Sequence, residues 1–218
     1  MIRTSLLITS MAWTLSIICA TFSYSAEPKP VKLPVPQIDG GRPLMQVLKD
    51  RTSSRSVSPE KLPVQVLSNL LWAAYGINRP DTGKRTAPSA LNWQEIDIYV
   101  ATAEGLYLYD AIVHTLQPVL SGDIRAATGQ QDFVREAPVN LIYVADFSRM
   151  GTASKEDKER YSAADTGFIS QNVYLYCASE RLATVVRGSI DRKTLANGMK
   201  LRPDQKIILA QSVGYPKK

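Results

Sequence analysis

The chain has 218 residues, 26 of them basic and 20 acidic, with one histidine and two cysteines. That length suits one domain with a sizeable core, and the modest, scattered basic excess argues against a nucleic-acid surface. Outside the N-terminal segment one histidine and one cysteine remain, which excludes a zinc site and an internal disulfide; with no serine triad to assemble, demanding chemistry must come from a bound cofactor.

In chain order, Met1 to about Ala26 begins with a single charge, Arg3. It continues as an apolar run, Leu6 to Phe22, broken by Thr and Ser, and ends on small Ser23, Ser25 and Ala26. This order predicts a signal peptide over 1–26, export to the periplasm, and no membrane anchor after cleavage. A retained anchor is the competing reading, but the apolar core is short and interrupted. Bulky Ile18 argues against lipid attachment at Cys19. With no twin arginine, the chain is expected to cross the membrane unfolded and meet its cofactor afterwards.

Residues 27–40 hold four prolines between Glu27 and Pro36 and read as an extended, mobile spacer. A domain over 41–218 follows. Pro43 opens a short helix, Asp50–Arg55 is a loop, and Val66, Leu67, Leu70, Leu71 and Ala74 recur at helical spacing until Gly76. Asn78–Leu91 reads as a polar loop. Ile96, Ile98 and Val100 alternate with polar neighbours, and Leu106–Tyr109 pairs with them through Glu104-Gly105. Ala137–Ala145 is a central strand, Lys155–Arg181 a long helix, and Thr184–Val186 and Ile207–Val213 two more strands. Cys177 falls in an apolar helical pattern and should be buried and inert. Without regular β-α-β alternation, the class is α+β.

Three segments could carry chemistry. Arg51-Thr52-Ser53-Ser54-Arg55 offers two guanidinium forks and three hydroxyls, a plausible phosphate cradle, although a solvated loop has the same composition. In Arg85-Thr86-Ala87-Pro88-Ser89-Ala90-Leu91-Asn92, small residues let backbone approach a flat ligand, and Ser89 and Asn92 offer hydrogen bonds. Val185-Val186-Arg187-Gly188 ends a strand on a glycine that exposes backbone amides. Each alone is also compatible with an ordinary turn.

Taken in order, Arg-x-Ser-x-Arg, Pro-Ser-Ala-x-Asn about 35 residues later, and a strand ending in Arg-Gly resemble the nitroreductase family. Leu71-Trp72-Ala73-Ala74-Tyr75-Gly76, Gly105–Asp110 with His114, Gln131-x-Phe133, Ala137-Pro138-Val139, Gln171-Asn172 and Val213-Gly214-Tyr215-Pro216 are similar to its azoline-oxidase branch. A departure is Leu91, where that branch often has glycine. The resemblance implies a nitroreductase-like fold, with a central, mainly antiparallel sheet flanked by helices, in a homodimer with two shared FMN sites. Arg51, Ser53 and Arg55 would hold the FMN phosphate and ribityl chain, with Thr52 contributing backbone. Pro88, Ser89, Ala90 and Asn92 would contact the same flavin from the partner subunit. Arg187 and Gly188 would lie over the ring with a backbone amide near N5, and Lys217 matches a C-terminal phosphate-binding base.

The implied activity is transfer of hydride or electrons through flavin N5 to a small acceptor, a quinone or nitro compound, or oxidation of an exported substrate. NADH or NADPH is the usual donor but is scarce outside the cytoplasm. No catalytic base can be named: Tyr75, Tyr107 and Lys84 lie in structural or solvated patterns, and His114 reads as a hairpin residue. The second reading is a non-catalytic exported protein of the same fold that binds flavin or another ligand. The signal segment gives a direct expectation: N-terminal sequencing of protein from the exported fraction should begin between about Ser23 and Glu27. Recovery of intact Met1 on a membrane-embedded product would refute it.

Overall fold

The structure, a computed structural model, describes residues 29–217, so the expected signal peptide lies outside the described residues. Its main feature is a seven-stranded sheet of order β1-β6-β5-β4-β7-β9-β8, in which every pairing is antiparallel. The strands are β1 (Val31–Lys32), β4 (Ile96–Ala101), β5 (Gly105–Asp110), β6 (Thr115–Ser121), β7 (Val139–Asp146), β8 (Ala183–Arg187) and β9 (Gln205–Gly214). A small separate hairpin pairs β2 (Ile77–Arg79) with β3 (Lys84–Arg85). The helices are α1 (Leu44–Asp50), α2 (Val64–Tyr75), α3 (Lys155–Ser179) and α4 (Arg192–Gly198). The class is α+β with a nitroreductase-like fold, as the resemblance implies.

Alternation along β4 explains the layers. Ile96, Ile98 and Val100 face a core built with Leu70, Leu71 and Ala74 of α2 and Ile169, Val173 and Cys177 of α3. Tyr99 and Ala101 face the opposite core, completed by Ile142 and Val144 of β7 and by Leu195 and Met199 at α4. With both faces covered, β7 is buried at all eight positions, which is why its sequence from Leu141 to Ala145 is apolar throughout rather than alternating.

Four segments depart from the sequence reading. The proline-rich segment, expected to be a mobile spacer, adds an edge strand: β1 pairs with β6, and Leu33 is buried. The Asn78–Leu91 segment, expected to be a loop, contains the β2–β3 hairpin. β6 was not legible because Pro118 sits in it; the register shifts between Leu106 and Tyr107, skipping Val119, so the proline stands next to a bulge. α4 is short and polar, stabilised by the Asp191 side chain accepting from Thr194 N–H at 3.1 Å.

One polar chain fastens the proline-rich segment. Ser68 Oγ donates to Pro34 O (2.5 Å) and so accepts from His114 Nε2–H (2.7 Å); His114 Nδ1 then accepts from Tyr109 Oη–H (3.0 Å). Burial lowers the His114 pKa, in keeping with this neutral tautomer. Ser68→Ala removes the Pro34 bond and takes the hydroxyl acceptor from the half-buried His114 N–H, a loss of about 0.5–1.5 kcal/mol. Urea unfolding should register it, with faster amide exchange at Leu33. An unchanged midpoint would show that the chain is not stabilising.

Candidate functional site

The Arg51–Arg55 loop is held against the outer edge of the sheet. β8 is an edge strand, and its outward groups are paired: Thr184 O accepts from Ser54 N–H, and Val186 N–H donates to Tyr174 Oη, both at 2.9 Å. The Tyr174 hydroxyl also bonds Ser53 Oγ at 2.9 Å, and Arg51 Cζ lies 5.3 Å from the centre of the same ring. Lys217 N–H donates to Ser56 O, so the C-terminal strand runs along the loop. The Lys217 ammonium itself pairs with Glu136 at 2.6 Å rather than being free for a ligand.

Beside this loop is a cavity of about 500 Å³, lined among others by Thr52, Ser54, Tyr174, Arg42, Arg181 and Thr184. Arg181 reaches it through the end of α3. Arg181 is left-handed (φ 57°), and Leu182 N–H returns to Cys177 O, a Schellman closure with arginine where glycine is usual. Among the described residues neither Arg51 nor Arg55 forms an ion pair. Two unpaired guanidinium groups and a rank of hydroxyls suit an anionic, oxygen-rich ligand.

Arg187 does not join them. The sequence reading places it over a flavin ring, whereas its guanidinium points into the protein, donating to Thr128 O (2.8 Å) and Asn140 Oδ1 (3.0 Å), with Nε unpartnered. Desolvation lowers its pKa to about 10, so it remains charged at neutral pH. The cause is parity: alternation along β8 puts Arg187 on the Asn140 face of the sheet, opposite Thr184, whose side chain meets Gln211 on the α3 side. Gly188 is exposed at the strand end, where its carbonyl accepts from Arg192 Nη1.

The Pro88–Asn92 loop lines a different cavity of about 210 Å³, with Pro88, Ser89 and Asn92 beside Arg79, Lys84 and Arg85. It shares no lining residue with the first. The turn is strained: Leu91, Asn92 and Gln94 have φ of 49°, 54° and 48°. Left-handed leucine and glutamine cost energy and persist only where the surroundings impose them. Here Ser89 Oγ donates to Glu95 Oε2 (3.2 Å) and accepts from Gln94 N–H (2.8 Å), while Ala90 N–H donates to Asp165 Oδ2 (2.9 Å).

Tyr174 and Arg181, which line the first cavity, and Glu95 and Asp165, which hold the Pro88–Asn92 loop, are residues of the candidate site that the sequence reading missed. Glu95 had a signal, since it lies three residues after the end of the Pro-Ser-Ala-x-Asn motif. Tyr174 and Asp165 had only a weaker one, hydroxyl and carboxyl groups on the buried stripe of a long helix. Of the tyrosines weighed as bases, Tyr75 and Tyr107 are buried and their pKa values raised by desolvation, so both remain neutral.

The model of the nitroreductase family matches residues 48–215. A candidate nitroreductase of Methanocaldococcus jannaschii is 31% identical over 73% of this chain and 85% of its own. A crystal structure of a candidate nitroreductase from Ralstonia eutropha is 43% identical, with TM-score 0.84, over 89% of this chain and 92% of that one. A Desulfovibrio desulfuricans structure described as a complex with FMN has the same fold, at 22% identity, TM-score 0.60, over 82% and 89% of the two chains. The chain belongs to the nitroreductase family. It is therefore an oxidoreductase of that class.

The buried Arg187 also defines a backbone constraint. A Cβ on Gly129 would overlap Arg187 Nη1 and press on Val134. Gly129→Ala should therefore destabilise the domain by about 1–3 kcal/mol through overpacking. Denaturant unfolding is the measurement, and a stability equal to the parent's would place the guanidinium elsewhere.

Proposed function

We propose that the protein is an exported, homodimeric, FMN-dependent oxidoreductase. The carrying observation is the pair of unpaired guanidinium groups, Arg51 and Arg55, in a hydroxyl-rich loop beside a cavity of about 500 Å³. When bound, FMN supplies two-electron transfer between a donor and a small acceptor, a quinone or nitro compound. Arg51, Ser53 and Arg55 hold the phosphate and ribityl oxygens, with Thr52 and Arg181 on the cavity wall. Pro88, Ser89, Ala90 and Asn92 bring a flat backbone surface and two polar side chains to the same cofactor from the partner subunit. That two loops of one chain line separate cavities supports this division. Exposed Leu44, Met45 and Leu48 on α1, Leu91 in the strained turn and Phe168 on α3 supply apolar surface for an isologous interface.

NADH or NADPH serves as donor where the protein meets it. Export, read from the first 26 residues, removes that supply, so oxidation of an exported substrate belongs to the same proposal. The motif set around Trp72, Tyr75 and Pro88-Ser89-Ala90 supports a position near the azoline-oxidase branch, with Leu91 as the departure.

Arg51→Ala and Arg55→Ala each remove a charge-assisted hydrogen bond worth about 1.5–3 kcal/mol, so each should weaken FMN binding about ten-fold or more. Fluorescence quenching on titrating the apoprotein measures this; two variants that bind like the parent would remove the phosphate from this loop. The shared site has its own test. A variant disabled at Arg51 and another disabled at Asn92 are co-refolded. About half of randomly paired dimers are mixed, each with one intact and one doubly defective site. Recovery of FMN binding supports the shared site, and none from verified heterodimers shows that each chain binds alone.

A further inference from the structure

Beneath the Pro88–Asn92 loop two carboxyl groups from distant elements face each other: Glu95, just ahead of β4, and Asp165 of α3, 0% and 2% exposed. Among the described residues no lysine or arginine forms an ion pair with either. Two guanidinium groups reach Gln94 beside the pair and both are engaged otherwise: Arg149 donates to Gln94 O and pairs with Asp97, and Arg85 is the second. It donates to Tyr75 O and Gln94 Oε1 and lies 4.5 Å from the centre of the Tyr75 ring. Two buried polar atoms at this place, Tyr75 Oη and Glu95 Oε1, have no hydrogen-bond partner among the described residues. Each carboxyl grips a different point of the loop: Glu95 Oε2 takes Ser89 Oγ–H, and Asp165 Oδ2 takes Ala90 N–H.

Two bare carboxylates cannot share such a place without a cation, because desolvation and mutual repulsion both oppose the second charge. One proton between them resolves both. We propose that Glu95 and Asp165 hold one proton in common and act as positioning residues, keeping the Pro88–Asn92 loop in its cofactor-receiving shape, and that loss of the proton releases the loop. The proposal rests on the reading of that loop as part of an FMN site.

In the one-proton state Glu95 Oε1, the oxygen with no other partner, carries the hydrogen toward Asp165. Asp165 Oδ2 holds Ala90 N–H, and Glu95 Oε2 holds Ser89. Above the transition the proton leaves to water, and the two anions repel across the points where they grip Ser89 and Ala90. The loop has energy to release, since Leu91, Asn92 and Gln94 are all left-handed. Burial, then the Asp165 charge, raises the Glu95 pKa to about 7, against an opposing contribution from backbone and Ser89 hydrogen bonds. The sign follows. A carboxyl with a raised folded-state pKa favours the ordered loop at low pH, and that contribution is lost as pH rises toward and through about 7.

The test uses the full-length mature protein and two probes, FMN and riboflavin; riboflavin has no phosphate, whose own second ionisation lies near pH 6. Affinity by fluorescence quenching and amide exchange of residues 88–95, corrected for intrinsic rate, are followed across the range. In the parent, both probes should bind about ten-fold more weakly at about pH 8 than at about pH 6. Loop protection should fall with the same midpoint. Glu95→Gln keeps the shape and a hydrogen bond to Asp165 without a titrating proton, and should hold both readouts flat. Should that variant fold poorly, Asp165→Asn, which removes the charge facing Glu95, should move the midpoint of both readouts to lower pH, and an unmoved midpoint overturns the proposal. Loop protection independent of pH in the parent, or a transition that survives in a folded Glu95→Gln variant, overturns the proposal. Loop switching that follows Glu95 in a protein that binds neither probe at any pH upholds the proton device and overturns the flavin reading instead.

Discussion

An antiparallel sheet that ends on β8 leaves one row of backbone donors and acceptors without a strand beside it, and this row must be paired. The protein pairs it with a phenol and a loop. Tyr174 Oη takes Val186 N–H, and Ser54 N–H satisfies Thr184 O. The loop that closes the edge is the same one that carries Arg51, Ser53 and Arg55. Its position is therefore not that of a free surface loop, because moving it would strip hydrogen bonds from the sheet. Tyr174 Oη also reaches Ser53, and its ring lies under Arg51, so protection of the edge and placement of the cationic side chains are one interaction seen from two sides. A site fixed in this way loses little order-disorder entropy when an anion arrives.

The same residue type serves opposite purposes a short distance away. Arg51 and Arg55 keep their charge toward solvent, while Arg187, on the Asn140 face of the sheet, is buried with neutral partners, Thr128 O and Asn140 Oδ1. Asn140 in turn accepts from Ser212 Oγ, so the arginine is tied to β9 and β7, the two strands next in order from its edge. A buried guanidinium without a carboxylate fixes its surroundings through its hydrogen bonds, and the close approach of Gly129 is part of that fit. Sequence motif alone could not tell these arginines apart, because the difference lies in which way a strand residue faces.

What the sequence made legible follows the strength of its periodicities. α2, β4, β5 and β7 carry apolar patterns that local chemistry alone decides, and their positions agree with the structure to within a residue or two. β1 and β6 were not legible because prolines at 30, 34, 36 and 118 argue against strands; tertiary pairing at an edge and beside a bulge overrides them. At the site, the two loops were recognisable by composition and order. Their supports were not, since Tyr174 and Asp165 lie on α3 among residues that read simply as core. A polar atom on a buried stripe becomes informative only when its partner is known, and Ser53, Val186 and Ala90 are remote from both in sequence.

Helix geometry then connects the two halves of the site. Asp165 and Tyr174 are nine residues apart on α3. At 1.5 Å and 100° per residue they are separated by about 14 Å along the axis and about 180° around it. The buried stripe Ser162, Thr166, Ile169, Val173 and Cys177 runs between them, so the two residues mark opposite edges of that stripe. One edge holds the Pro88–Asn92 loop through Ala90, the other holds the Arg51–Arg55 loop through Ser53. A single rigid helix thus fixes both loops while directing them to different sides of one protomer. In the proposed dimer one small anionic ligand would meet both, the second loop coming from a copy of the chain related by two-fold symmetry, with the same helix and the same spacing. The length of α3 and the parity of its polar residues are, on this reading, what makes the single chain half of a site.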